Sequence, residues 1–426
     1  MRKIWIFNHY ACTPKTGPLL RHYYFAKEMN KRNYEVRVFA ANEVHYNNNS
    51  IDTMGGKYVE KNDEGQPFVF VKTTKYKGNG ISRVRNMLSY FFNLFPATAG
   101  IAKDYGKPDV IIGSSVHPLA CVAGIQIAKR FKIPCIIEIR DLWPEAVFSF
   151  GKVKENSILG KLLTAGEKWI YKHSDAIIFT KEGDIDHIKE MKWDTDQGGE
   201  IDLSKCFYIN NGVDTETFNQ NKETNQYNDT DLIDDSFKVI YTGSVRPVNN
   251  IDNIIDAAVF LKDNPDIKIL IFGTGSDLDR LEQRIRDEGL SNVKIKGFVE
   301  KKYIPYILSK SSVNILNYSQ HQYNWTRGNS SNKLFEYMAS GKPIISTVKM
   351  GYCILEKYKC GYSLKDSTPQ ELANKILEIK NLPEQRYKFL CKNAKEGSTN
   401  FDYKALTDQL GYVVDTVMKR NNKERR

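Results

Sequence analysis

The sequence predicts an α/β protein made of two successive, doubly wound parallel sheets. Three observations carry that reading. Short apolar runs alternate with helix-periodic segments along both halves, several of those runs open onto loops rich in Gly, Ser or Asn, and a polar stretch interrupts the alternation near the middle. Length agrees: 426 residues exceed what one ordinary core serves and suit two domains of roughly 200 residues.

In the first half the apolar run 4–7 reads as a buried strand. It leads into loop 8–18, which contains Gly17, and then into a helix over 20–31. Strands follow at 35–41 and 67–71. The run 110–112 opens onto GSSVHP (113–118) and a helix through 128, and the run 135–139 opens onto RDLWPE (140–145). A helix over 159–173 and a strand over 176–179 close this half. Residues 191–202 and 219–235 are polar and flank a strand ending in NNGVD (210–214), so the domain junction belongs here. The second half repeats the pattern. Strand 238–241 runs into TGSVR (242–246) and a helix over 251–261, and strand 269–272 runs into GTGSD (273–277) and a helix to 288. A strand at 293–299, a helix at 304–308 and a strand at 312–316 precede the segment 327–343. Strand 343–346 and helices over 369–380, 383–395 and 403–419 complete the chain.

Hydrophobic residues make up 41% and charged ones 27%, the balance of a globular enzyme and not of a disordered chain. The formal charge of +11 fits nucleic acid, an anionic membrane face or an anionic substrate equally well. Its clusters lie at Lys72, Lys75, Lys77, Arg83 and Arg85, and in the tail from Lys419 to Arg426. Seven scattered cysteines with no Cys-x-x-Cys pair read as reduced thiols of a cytosolic protein. The apolar N-terminal run stops at Asn8, which suits a first strand and not a signal peptide. No run approaches the ~18–20 apolar residues of a membrane span, so a cytoplasmic protein with at most peripheral membrane contact is expected.

The segment RGNSSNKLFEYMASGKP (327–343) is the most informative. Gly328, Asn329, Ser330, Ser331 and Asn332 form a small, polar lead into a helix whose first N–H groups and positive dipole end suit an anion. Lys333 adds a charge there, and Glu336 follows one turn on. Amides for phosphate beside a carboxylate for hydroxyls suit a sugar nucleotide. The same residues also describe an ordinary capped amphipathic helix with Leu334, Phe335 and Met338 as its core face.

With RDLWPE (140–145), NNGVD (210–214), YTGSVR (241–246), FGTG (272–275), GFV (297–299) and NKLFEYMASGKP (332–343) in order, the chain resembles the family 4 retaining glycosyltransferases of GT-B architecture. The likeness spans nearly the whole chain and is nearest to members that assemble bacterial capsule and O-antigen polysaccharides. It implies two Rossmann-like domains facing a cleft: 1–208 on the acceptor side, 209–400 on the donor side, and a C-terminal helix with basic tail, 401–426, crossing back. It implies transfer of a sugar, an N-acetylated hexosamine or deoxy-hexosamine, from a UDP-sugar to a polyprenyl-diphosphate-linked saccharide at the inner face of the membrane. Configuration would be retained, with no metal, no further cofactor and no protein nucleophile. Two departures stand out. The family's Glu-x7-Glu pair keeps only Glu336, with Gly328 at the first position, so amides of 328–331 would contact the donor sugar. The usual Arg and Lys pair is Arg246 alone, and Lys333 would supply part of the missing charge.

Transfer requires neutralising charge on the departing diphosphate, a task for preorganised donors. Arg246, Lys333 and the amides of Gly243, Ser244 and 330–333 are the candidates; Arg246 also reads as a surface arginine. Glu336 would accept both ribose hydroxyls or merely complement the helix dipole. Phe298 and Val299 would flank the base or simply end a strand. By the resemblance, His117 touches a donor-sugar hydroxyl and Gly17 lies near the donor. Arg140, Asp141 and Glu145 face the acceptor, although Asp141 would equally cap the following turn. Asp194 and Asp196 mimic a metal-binding Asp-x-Asp but read as a solvated loop, and GTG (273–275) lacks the third glycine of a dinucleotide fingerprint. Residues 81–95 combine Arg83 and Arg85 with Met87, Leu88, Tyr90, Phe91, Phe92, Leu94 and Phe95, and Pro96 is expected to end that helix. A basic aromatic helix fits an anionic bilayer surface or a core position with a solvated basic end. Rival readings are a UDP-sugar 2-epimerase of the same architecture, a non-catalytic sugar-nucleotide binder and a nucleic-acid-binding protein. No recognition-helix pattern supports the last, and nucleic acid is not an expected partner.

Overall fold

The computed structural model describes residues 1–44, 50–78, 80–115, 117–149, 151, 153–320 and 324–424. Arg425 and Arg426 of the basic tail and Val116 before His117 lie outside the described residues. The chain divides into two compact units, Met1–Asn210 with Tyr403–Arg426, and Asn211–Asp402.

The first unit is an eight-stranded sheet. Its strands are β1 (Arg2–Phe7), β2 (Tyr34–Ala41), β3 (Tyr58–Asp63), β4 (Gln66–Val71), β5 (Val110–Ser114), β6 (Cys135–Ile139), β7 (Ala176–Phe179) and β8 (Cys206–Tyr208). Their order is β3-β4-β2-β1-β5-β6-β7-β8, and every pairing is parallel except β3 with β4. Strands β5, β6 and β7 are buried along their whole length, which is why they read as continuous apolar runs and not as alternating ones. The order reverses between β1 and β5, so the loops after these strands flank a crevice at the carboxyl edge.

One helix of this unit differs from expectation. Helix Ile81–Tyr105 continues through Pro96. Proline removes one helix hydrogen bond, but Pro96 is exposed, so the carbonyl freed one turn back lies on the side of the helix that solvent reaches. Its inner face buries Tyr90, Leu94, Ala97 and Ile101, while Ile81, Val84, Leu88 and Phe92 stay exposed on the other. Helix Tyr403–Glu424 joins this unit by packing on helix Arg21–Asn30. Leu406, Leu410, Val413, Val414 and Val417 bury a stripe at three- and four-residue spacing, and the ring of Tyr403 stacks on Tyr24 at 4.7 Å.

The second unit is a six-stranded, fully parallel sheet. Its strands are β9 (Phe237–Thr242), β10 (Ile267–Phe272), β11 (Val293–Gly297), β12 (Val313–Leu316), β13 (Ile344–Ser346) and β14 (Gly361–Ser363). Their order β11-β10-β9-β12-β13-β14 is that of a dinucleotide-type doubly wound sheet, with its switch point between β9 and β12. The polar stretch expected as a linker holds helices Thr215–Thr224 and Thr230–Ile233. Asp214 and Asp229 cap them by accepting from Thr217 N and Asp231 N. Asp194 is buried and accepts from Gln197 Nε2 at 2.7 Å, so it is a structural turn residue and not part of a solvated loop. No helix among the described residues is long and apolar enough to cross a membrane.

Candidate active site

At the switch point of the second unit, three glycine-bearing loops lie edge to edge. Gly243 N–H donates to Phe272 O at 2.9 Å, and Gly273 N–H donates to Gly297 O at 2.7 Å. A Cβ on Gly273 would stand 1.7 Å from the carbonyl oxygen of Gly243, and both residues hold positive φ, +154° and +150°. Only glycine at Gly273 lets the turns after β9 and β10 approach this closely.

Lys333 points into this corner. Its Nζ donates to the Tyr241 hydroxyl at 3.1 Å and lies 4.6 Å from the ring centres of both Tyr241 and Tyr318. A Cβ on Gly243 would meet the same Nζ at 2.8 Å, so the ammonium sits directly over the turn after β9. Tyr241 in turn donates to Ser244 O at 2.9 Å, and Ser244 Oγ donates to Asn249 Oδ1 at 2.7 Å. Desolvation pulls the Lys333 pKa down to about 7, against the opposing pull of Glu336. The π faces on two sides hold the ammonium in place and offset only part of the hydration it has lost.

Helix Asn332–Ala339 begins beside this lysine, with Ser331 as its extended N-cap. The anion cradle expected from the amides of 330–333 is narrower than the sequence suggests. Asn329 Oδ1 already accepts from Ser331 N at 2.7 Å, and Leu334 N donates to Ser331 O, so Asn332 and Lys333 contribute the helix-end donors. Ser330 O accepts from Asn211 Nδ2 at 2.5 Å. Ser331 Oγ is buried with no partner among the described residues, a hydroxyl suited to a polar ligand. Gly328 has φ +101°, so the glutamate of the resembled family would be strained here although the nearest atom to an added Cβ is 3.6 Å away.

The carboxylate of Glu336 forms an ion pair with Lys301, a partner the sequence did not announce. Hydroxyls that bind Glu336 would compete with this lysine, itself 67% exposed and so easily displaced. Phe298 is 72% exposed just past β11, while Val299 packs toward the core. Arg246 is exposed and forms no ion pair among the described residues.

In the first unit the loops after β1 and β5 meet. His117 is 1% exposed, and its Nε2 shares a hydrogen bond with His9 Nδ1 at 2.8 Å. Burial, then the charge of Arg83, push its pKa down to about 3, so this imidazole is neutral and acts through hydrogen bonding. Its Nδ1 is buried without a partner among the described residues. Beneath the pair lies an ionic core. Glu138 accepts from Arg21 Nε at 2.9 Å and Ser114 Oγ at 2.7 Å, and contacts His22 Nε2 at 3.0 Å; Asn8 Nδ2 donates to Ser114 Oγ at 2.9 Å. Burial alone would raise the Glu138 pKa, but Arg21 and His22 outweigh it and hold the carboxyl well below its ordinary range. Arg140 N donates to Ser115 Oγ at 3.1 Å, Asp141 is exposed and pairs with Lys181 at 3.4 Å, and Glu145 opens helix Glu145–Ser149. Gly17 belongs to the loop after β1, where an added Cβ would meet Cys12 Sγ at 2.8 Å.

The structure therefore gathers Gly243, Ser244, Lys333 and the helix-end residues in the second unit, and His117 with the strand-end residues Arg140 and Asp141 in the first. Sequence reasoning missed Tyr241, Tyr318, Lys301 and the Glu138–Arg21–His22 group. Tyr241 stood in the YTGSVR motif without an assigned role, and Tyr318 was visible only as an aromatic residue just past strand β12.

Two family models match this chain, a glycosyl transferase 4-like domain over residues 16–197 and the group 1 glycosyl transferases over residues 222–396. With the two doubly wound sheets they give the chain the GT-B fold, each half being similar to a glycosyltransferase domain of that fold. The chain is 27% identical over 217 residues to a protein ascribed to teichuronic acid biosynthesis, the glycosyltransferase TuaH of Bacillus subtilis; the match covers 50% of each, so it spans about half of that relative's length. Among solved structures, sucrose-phosphate synthase from Thermosynechococcus elongatus superposes with a TM-score of 0.69 at 15% identity, covering 99% of this chain and 100% of that one. HepE of Anabaena, in complex with UDP and glucose, superposes with a TM-score of 0.63 at 17% identity, covering 97% and 100%. At these identities the likeness speaks for the fold.

Proposed function

We propose that this protein moves a sugar from a UDP-sugar to a polyprenyl-diphosphate-linked saccharide, with retention of configuration and without a metal, in cell-surface polysaccharide synthesis. The observation that carries the donor half is Lys333, a desolvated cation clamped between Tyr241 and Tyr318 at the carboxyl end of β9, beside the start of a helix. A leaving diphosphate placed there meets a full charge, the helix-end amides and the hydroxyl of Ser331, with Arg246 free to close from the surface. Phe298 offers an exposed ring to the base, and Glu336 accepts the ribose hydroxyls once Lys301 is displaced. HepE, of the same fold, is a UDP and UDP-glucose binder. The donor sugar we favour is an N-acetylated hexosamine or deoxy-hexosamine. In this reading His117, Arg140, Asp141 and Glu145 are the first unit's contribution to sugar and acceptor recognition.

The test is product analysis. Incubated with a radiolabelled UDP-N-acetylhexosamine and a lipid-linked saccharide, the protein is expected to move label into the organic-extractable fraction. An epimerised nucleotide sugar formed without acceptor would favour the 2-epimerase instead.

The acceptor half of the reading places the first unit against the inner face of the membrane. Ile81, Val84, Leu88 and Phe92 are 75%, 53%, 40% and 63% exposed and recur at helical spacing beside exposed Arg85. Replacing Leu88 and Phe92 by aspartate is expected to abolish co-sedimentation with phosphatidylglycerol vesicles. Undiminished sedimentation of that variant would remove this helix from the membrane contact.

A further inference from the structure

We infer that an apolar cavity in the first unit, beneath helix Ile158–Lys172, holds part of the isoprenyl chain of the acceptor lipid. The inference rests on the lipid-linked acceptor proposed above. The cavity has a volume of about 230 Å³, and its walls include Val122, Ile139, Trp143, Leu162 and Trp169. An apolar cavity of ~150 Å³ is enough for a benzene ring, so this one has room for one or two five-carbon branched units.

Three features point to a hydrocarbon occupant from outside the protein. First, the two polar side chains under the helix, Tyr171 and Glu167, are already engaged: Tyr171 donates to Glu167 at 2.7 Å, and the other oxygen of Glu167 contacts His187 Nε2 at 3.0 Å. The cavity therefore offers carbon and little else. Second, it opens onto the surface through residues that are both wall and rim, Leu162 at 67% exposure and Trp169 at 38%. They continue a stripe with Ile158 and Leu159, 90% and 51% exposed, on the helix that flanks Leu119–Phe131 opposite the membrane-facing helix Ile81–Tyr105. Such a run of exposed large apolar side chains marks a surface that meets lipid or a partner. Third, Ser115 and Asp141 also line the cavity, one residue past β5 and two past β6, at the sheet edge where ligands of open α/β sheets bind. Exposed Lys154 and Lys161 beside the stripe complement an anionic diphosphate. A chain seated here places its diphosphate end toward the strand ends that hold the acceptor candidates.

The test uses the whole protein and geranylgeranyl phosphate, read by the fluorescence of Trp143 and Trp169, with inorganic phosphate and hexadecyl phosphate as comparison probes. Gly166 lines the cavity and is exposed, and a Cβ there meets nothing within 4 Å, so Gly166→Phe sets a ring at the mouth of the cavity without straining the backbone. Geranylgeranyl phosphate is expected to bind at least tenfold tighter than either comparison probe. Gly166→Phe and the exposed-rim variant Leu162→Asp should each lose that advantage while binding UDP unchanged. Equal binding of geranylgeranyl phosphate by Gly166→Phe, or of hexadecyl phosphate by the wild type, would overturn the inference. Transfer to a lipid-linked acceptor with an unaltered KM in Gly166→Phe would sink the cavity and leave the proposed function standing. Tight geranylgeranyl phosphate binding without any transfer would do the reverse.

Discussion

Replacing Lys333 by alanine is expected to lower kcat/KM for the UDP-sugar by about 10²–10³-fold, the usual loss for one preorganised donor facing developing charge. The expectation follows from where the ammonium sits. It is fixed by the Tyr241 hydroxyl and by two ring faces before any ligand arrives, so little reorganisation is needed as the glycosyl bond breaks. The same position is unfavourable for the empty protein. A cation in the first turn opposes the helix dipole, and desolvation has pulled its pKa to about 7. The alanine variant should therefore melt at the same temperature as the parent or slightly above it. Lys333→Arg keeps the charge and should recover part of the activity. Loss of activity together with a lowered melting temperature would mean that Lys333 supports the fold and not the reaction.

The second large effect concerns stability. Glu138→Gln removes the carboxylate that pairs with buried Arg21, and breaking one side of a buried ion pair costs roughly 3–5 kcal/mol. The loss should reach the loops around the first-unit site, because Glu138 also holds Ser114, and Ser114 holds Asn8. Acid acts on the same group. Burial pushes the His22 pKa down, with Glu138 opposing, so the unfolded chain takes up that proton first and stability falls as pH drops below about 6.5. The Glu138 carboxyl is held well below its ordinary range, so its contribution is present above about pH 4.5 and is lost as pH falls through lower values. Urea unfolding between pH 4 and 8 should show the parent weakening with acid, and the Gln variant, whose His22 has lost the carboxylate that opposes its downward shift, weakening more steeply below about pH 6.5. Parallel curves would contradict this account of the buried group.

Much of this architecture is legible in the sequence because fully buried parallel strands leave continuous apolar runs, as in β5, β6 and β10. What was illegible had weaker local signals. Strand β3 is a half-exposed edge with the polar sequence YVEKND, so no periodicity marks it. Helices Thr215–Thr224 and Thr230–Ile233 are polar, and each rests on an aspartate cap that is easily mistaken for linker composition. Pro96 interrupts only the solvent side of its helix. The donor corner divides in the same way. Gly243, Lys333 and Glu336 stand in recognisable motifs, whereas the partners that tune them come from remote positions. Tyr241 lies 92 residues from Lys333, and Lys301 lies 35 from Glu336. Asn329 shows the limit at short range: its side chain takes the Ser331 amide that the motif alone would assign to phosphate.

Calorimetric titration of UDP between pH 7 and 8.5, on the parent and on Lys333→Ala, bears most directly on the site. Above pH 7 the UDP phosphates are ionised, so the remaining titration belongs to the protein. Parent affinity should fall as pH rises, by up to about tenfold per unit, with proton uptake on binding, because the diphosphate favours the ammonium form of a lysine whose free pKa is about 7. The alanine variant should bind more weakly at pH 7 and show no such slope. A parent affinity that is flat across this range, or one that the substitution leaves unchanged, would contradict a diphosphate gripped by Lys333.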